Sequence, residues 1–412
     1  MNARPALKHA SLDTIEVRDD QFVFAGQKLQ ELAASVGRTP FYAYDSQSMR
    51  TRVEDLRRQL PDAIHLHYAI KANPMAEVVK HMAELVDGLD VASGGELAVA
   101  LETTMNPSSI SFAGPGKSEA ELEYAITQNV VINVESETEI DRIVRLAEQT
   151  GKRPQIAIRV NPDFELKISG MKMSGGPKQF GIDSERVPGV LKTLQGLDLD
   201  FCGFHIFCGS QNLRPEAICE AQQKTVQLAI ELSRSTEAPI RQLNIGGGFG
   251  IPYFPGEKPL DIAPIADNLD QLLPEIQAVM PDAEVILELG RYLVGESGIY
   301  VCRVVDRKLS RGQVFLITDG GLHHHLAASG NFGQVLRKNY PVLIGNRIIG
   351  DGTEIASVVG PLCTPLDLLA DRMDLTRADI GDLIVVLQSG AYGLTASPTA
   401  FLSHPVPAQV FI

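Results

Sequence analysis

The stretch IHLHYAIKANPM, Ile64–Met75, is where the fold can first be read. Ile64, Leu66, Tyr68 and Ile70 alternate with other residues, which is the period of a β-strand. Pro74 stops regular structure and turns Asn73 away from helical backbone. Lys71 therefore stands at the exit of a strand, on rigid scaffold. A lysine there ordinarily closes a strand at the surface. Whether this one does more depends on what the other strands end in.

Working outward, strand-like and helix-like segments alternate. GLDVAS, SISFAG, VVINVE, QIAIRVNP, LDFCGFHIF, QLNIGGG and AEVILELG follow IHLHYAI in that order, each separated from the next by a helical pattern or a long crossover. Ser118 with Glu121, and Ser136 with Glu139, have capping-box spacing, and Gly151 suits a C-terminal cap. Eight β/α units in succession predict an α/β fold, a (β/α)8 barrel, over residues 38–291. From residue 292 the texture changes. GIYVCRVVDRKLSRGQVFLITDGG, ASVVG and GDLIVVLQSG are short strands with turn signals, which predict an all-β domain over 292–412. Residues 1–37 contain TIEVRDDQFVFAG, a hairpin pattern expected to join that β-domain. A doubly wound nucleotide-binding sheet is the alternative fold, and it leaves the all-β tail unexplained.

Composition sets outer limits on function. The 412 residues are 44% apolar and 21% charged, with a net charge of -14. An acidic chain disfavours nucleic acid or an anionic membrane as its main partner. No apolar run approaches the length of a membrane span, and the first twenty residues lack a signal-peptide core, so a cytoplasmic protein without membrane insertion is expected. Cys202, Cys208, Cys219, Cys302 and Cys363 are odd in number and scattered, which fits reduced thiols.

A barrel keeps its active site at the carboxyl ends of its strands. Here the first strand ends in Lys71, the fifth in Arg159 and Asn161, and the eighth in Glu288, followed by Gly290 and Arg291. The sixth carries His205, and the seventh runs into Gly246–Gly250, GGGFG. Each part has a plain alternative: a glycine cluster marks a turn, Glu288 is a structural carboxylate, His205 is a core histidine. The run His323–His325 resembles a metal motif, but adjacent strand residues point to opposite faces, so no metal is assigned. Together the parts describe one cofactor's needs. A lysine can join an aldehyde, a glycine loop can hold a phosphate, and a carboxylate can keep a ring nitrogen protonated. Those are the protein's tasks in binding pyridoxal 5'-phosphate.

HYAIKANP, DVASGGEL, RVNPDF, GGGFGIPY, ELGR, GPLCTPLD and SGAYG resemble, in order, the motifs of the fold-type III pyridoxal-phosphate decarboxylases, which act on diaminopimelate, ornithine and arginine. The wording of GRTPFYAYD, FELKISGMKMSGGPKQFG and HIFCGSQNL is similar to one branch, the decarboxylases associated with exosortase A systems and so with exopolysaccharide biosynthesis. The resemblance implies a barrel of alanine-racemase type. It implies that Lys71 is the Schiff-base lysine. Gly247 and Gly248 with Tyr392 would hold phosphate, Ser210 would also bind the cofactor, and Glu288 would pair with the ring nitrogen. Arg159, Arg291, Thr364 and Asp367 would meet substrate, with Arg291 on phosphate or substrate carboxylate. It further implies a homodimer with shared active sites, in which Cys363 crosses from the partner and returns a proton.

Two departures bear on function. The family's sixth-strand histidine stacks on the cofactor; in GFHIFCGSQ that position holds Phe207, and His205 lies two residues earlier. Phe207 is expected to stack and His205 to support it. The family also carries an acid just after the cysteine to read a far amino group, and this chain has Thr364. A free diamino acid would lose a charge-assisted anchor of about 1.5–3 kcal/mol. The expected activity is decarboxylation of an amino acid, or of an aminoacyl group on an acyl carrier protein. The segment with Lys167, Lys172 and Lys178 is read either as a docking surface for that acidic carrier or as a lid, its plain alternative being a solvated loop. The alternatives are a diaminopimelate decarboxylase proper and an amino-acid racemase of the same fold.

Overall fold

Eight parallel strands follow one another round a closed sheet in the computed structural model, which describes residues 7–164, 171–172 and 175–412. They are Ile64–Ala69, Gly88–Val91, Ile110–Phe112, Val131–Val134, Gln155–Asn161, Asp200–His205, Gln242–Gly247 and Glu284–Leu289. Each pairs with its chain neighbour, and Glu284–Leu289 returns to pair with Ile64–Ala69 (Glu288 opposite His67), which closes the barrel. The strands are those the alternation marked, in the same order. Ile70 falls outside the first: the chain tightens into a single 3-10 turn, Ile70–Ala72, and Asn73 is extended (φ −153°, ψ 99°), as a residue before proline must be.

Local sequence explains the crossovers. Ser118 and Glu121 form a complete capping box on helix Glu119–Thr127. Ser136 caps Glu137–Thr150, and Gly151 ends that helix in left-handed backbone (φ 63°). The second box is only half made. Glu139 turns its carboxylate to the buried Lys117 ammonium (2.9 Å) and to the Glu135 amide (2.7 Å).

The chain divides into two units, one of Arg50–Gly250 with Leu260–Tyr292, the other of Met1–Met49, Ile251–Pro259 and Leu293–Ile412. The boundary expected at residue 38 thus falls inside the second of these. The reason is Phe41–Tyr44, a strand that pairs with Gly298–Val301 and with Ala408–Phe411. In this unit Gly298–Ser310 and Gln313–Thr318 form a hairpin whose turn, Arg311-Gly312, has positive φ at both positions, as two-residue hairpins favour. Residues 17–28 make a small three-stranded sheet of their own. Its Phe22 and Phe24 pack with Leu29, Phe41, Ile299, Val301 and Val385 in one apolar core. No helix among the described residues is long and apolar enough to cross a membrane.

Candidate active site

Lys71, on the turn that ends the first strand, donates to Glu288 Oε1 of the eighth at 3.0 Å. The closing register explains the meeting, since the last and first strands are neighbours. The lysine side chain is 44% exposed and the carboxylate 4%, so a reachable amine sits over a buried acid. His205 comes in from the sixth strand, with Nε2 3.1 Å from Glu288 Oε2; the approach is out of line for a hydrogen bond, and both ring nitrogens are buried. The Lys71 ammonium also lies 5.8 Å from the centre of the Phe207 ring.

Burial alone would push the Glu288 carboxyl up. The Lys71 charge, with the nearby His205, overrides this and holds it well below the ordinary glutamate range. Glu288 is thus an ionised carboxylate in a buried place, kept so chiefly by the Lys71 ammonium.

The loop after the seventh strand packs against its neighbours by backbone. Gly248 has φ +73°, and a Cβ there would lie 2.2 Å from the Gly209 carbonyl oxygen. A Cβ on Gly247 would lie 2.4 Å from the Glu288 carbonyl oxygen. Asn244 Oδ1 fixes the bend by accepting from the Gly246 amide at 2.8 Å, and the Gly248 carbonyl accepts from the Asn212 amide at 2.9 Å. Ser210 belongs to a two-residue strand paired with Met171–Lys172, which brings the long loop after the fifth strand back to the sixth. Lys167 lies outside the described residues; Lys178 is half-buried.

Arg159 is engaged within the protein. Its Nη1 donates to Glu135 Oε1 at 2.7 Å, and its guanidinium lies 4.9 Å from the Phe180 ring centre. Glu135 also accepts from the Gly114 and Gly181 amides at 2.5 and 3.2 Å. Arg291 follows the eighth strand and is half-buried. Cys363, Thr364, Asp367 and Tyr392 belong to the other unit. There Cys363 is a free, exposed thiol. Asp367 is buried and accepts from the Leu322 and Leu362 amides at 2.6 and 2.8 Å, one bond to each carboxylate oxygen. Its carboxylate ties two loops together. Thr364 Oγ1 accepts from the Leu366 amide at 3.3 Å. Tyr392 has φ +53°, and its ring lies 6.3 Å from that of Phe332. In the His323–His325 run, His324 Nε2 lies 3.0 Å from the Pro405 carbonyl oxygen and His325 Nε2 2.9 Å from Ser389 Oγ.

A buried polar group went unnoticed in the sequence. His67 Nδ1 lies 3.4 Å from Asp90 Oδ1, Ser111 Oγ donates to the same carboxylate, and Asn133 Nδ2 donates to Ser111 at 3.1 Å. These come from the first four strands in turn. Asp90 lies in DVASGGEL, and Glu135 ends VVINVE, so asking what every strand ends in finds Glu135 as it found Glu288.

Residues 46–295 match the family described as pyridoxal-dependent decarboxylase, pyridoxal binding domain. The chain is 39% identical over 378 residues to the L-glutamyl-[BtrI acyl-carrier protein] decarboxylase of Niallia circulans, covering 90% of this chain and 88% of that one. It is 34% identical to a diaminopimelate decarboxylase of Aquifex aeolicus, over 97% of this chain and 92% of the other. Among solved structures it is similar to the diaminopimelate decarboxylase from M. jannaschii in co-complex with L-lysine. The TM-score is 0.88 at 25% identity, covering 98% of this chain and 93% of that one.

Proposed function

The chain belongs to the pyridoxal-dependent decarboxylases, and from that premise we propose that it removes the α-carboxylate of an amino acid whose far end is masked by attachment to a carrier protein. Its fold is the barrel with a separate sheet domain, its cofactor pyridoxal 5'-phosphate, its reaction a decarboxylation.

The residues present fit the cofactor. The donor set is an amine (Lys71), a buried carboxylate (Glu288) and a glycine backbone (Gly247, Gly248), which match an aldehyde, a ring nitrogen and a phosphate. The observation that carries the reading is the 3.0 Å pair of Lys71 and Glu288. A buried carboxylate needs a cation; Lys71 is that cation here, and a protonated ring nitrogen is the kind of cation Glu288 would pair with in the loaded protein. Lys71 would hold the aldehyde, Gly247 and Gly248 with Ser210 and Tyr392 the phosphate, and Phe207 a face of the ring. When bound, the cofactor supplies a sink for the electron pair left on Cα as carbon dioxide departs. Glu288 would keep a proton on the ring nitrogen, with His205 beside it as polar support. Arg291 would bind phosphate or substrate carboxylate. Arg159, held by Glu135 and lying over the Phe180 ring, would meet the substrate.

The masked substrate is supported by Thr364, which offers no charge to a far amino group, and by likeness to an enzyme named for a carrier-bound glutamyl group. A free diamino acid is the second reading, favoured by the diaminopimelate decarboxylases among the relatives. Within the family we place the chain, by its wording, with the exosortase-associated branch. Carbon dioxide release from the cofactor-loaded protein tests the proposal, with lysine, ornithine, arginine, diaminopimelate and glutamate compared free and carrier-loaded. Release from the carrier-bound forms alone is expected. Release from a free basic amino acid would overturn the carrier reading, and turnover surviving in Lys71→Ala would overturn the site.

A further inference from the structure

Behind the glycine loop, helix Pro215–Ser233 presents Gln222 to a small cavity. The cavity is lined also by Gly247, Gly248, Gly209, Asn212 and Ile245. It has room for about one water. Gln222 is 4% exposed, and its Nε2 has no hydrogen-bond partner among the described residues. Gln223 Nε2 donates to Asn268 Oδ1 at 2.7 Å. Asn268 Nδ2 donates to Gln222 Oε1 at 2.9 Å, which leaves the Gln222 Nε2 facing the cavity. Three side-chain amides thus run head to tail, and the series ends on a donor. A buried donor without an acceptor is costly, so an acceptor belongs in the cavity.

We propose that Gln222 is a positioning residue of the phosphate cradle: its Nε2 donates, through a cavity water, to the phosphate oxygens of the cofactor held at Gly247–Gly248. The inference rests on the reading of that loop as the phosphate site. A neutral donor backed by two further amides carries no counter-charge of its own. The polarity is what matters. A glutamate in the same place keeps its shape and can still accept from Asn268, but turns its other end from donor to acceptor.

Binding to the unloaded protein separates the outcomes. Wild type, Gln222→Glu and Gln222→Leu are titrated with pyridoxal 5'-phosphate and with pyridoxal, which lacks the phosphate, following absorbance of the lysine adduct. Inorganic phosphate is used as competitor. Both variants are expected to lose about tenfold in affinity for the phosphorylated form, the glutamate more, and to bind pyridoxal as wild type does. Inorganic phosphate should compete less well in both. Equal losses for the two ligands would mean that Gln222 only supports the fold, and unchanged affinity for both would mean that it faces no phosphate; either overturns the proposal. Wild type that fails to prefer pyridoxal 5'-phosphate over pyridoxal would instead overturn the phosphate reading of the loop.

Discussion

At the scale of single residues, this barrel places charges where water does not reach and then supplies their partners. Glu288 is one case; His67 is another. Burial by itself lowers the His67 value, but Asp90, and more distantly Glu288 and Asp87, reverse that and raise it. A histidine whose folded value is raised stabilises the fold fully below its unfolded value of about 6.5, and that share is lost as pH rises through the folded value. The melting temperature of the unloaded protein is therefore expected to fall as pH is raised from about 6 to 8. Asp90→Asn removes the charge that holds the proton. This variant should melt lower at acid pH and show little change over the same range. A scan of melting temperature against pH checks it, and an equally steep fall in the variant would refute the pairing.

At the scale of elements, the glycine loop and the helix cap ask different things of the same residue. Gly151 ends its helix at φ +63° with open space around its Cα. Gly151→Ala should cost only the left-handed backbone penalty, about 1–2 kcal/mol, and leave cofactor affinity untouched. Gly248 has a similar φ but meets the Gly209 carbonyl oxygen, so Gly248→Ala must also push the sixth- and seventh-strand loops apart. A larger stability loss and weaker pyridoxal 5'-phosphate binding are expected, read by denaturant unfolding and cofactor titration. Equal losses in the two variants would mean that the close approach is unimportant. Elements of this kind were legible in the sequence where the signal is local. The succession of strand-like and helix-like segments marked all eight strands, and strand-end chemistry marked Lys71, Glu288 and His205. What was not legible depends on pairs far apart in the chain. Phe41–Tyr44 is buried at all four positions, so no alternation says which sheet it joins. The sequence does not show that Glu135 of the fourth strand lies beside Arg159, or that Asp367 accepts from the Leu322 and Leu362 amides of two loops.

At the scale of the whole molecule, the open matter is how many chains make one site. Cys363 is an exposed thiol in the sheet unit. The same unit leaves Val335 98%, Leu336 79% and Leu366 57% exposed, and Asn331 Nδ2, in the segment with the first two, reaches the Leu366 carbonyl at 3.4 Å. Strongly exposed large apolar residues are what a surface that meets another protein presents. We propose that a second copy of the chain covers it, as the family resemblance implies, and that each site takes Lys71 from one chain and Cys363 from the other. Complementation tests this without any view of the interface. Lys71→Ala and Cys363→Ala should each be nearly inactive alone. When they are mixed and allowed to exchange subunits at random, half the dimers are mixed, and each holds one intact site and one doubly damaged one. Activity should then recover to about a quarter of wild type. If both catalytic groups came from the same chain, the mixed dimers would hold no intact site. The mixture would then show only the average of the two residual rates, and the shared site would be refuted whatever the oligomeric state.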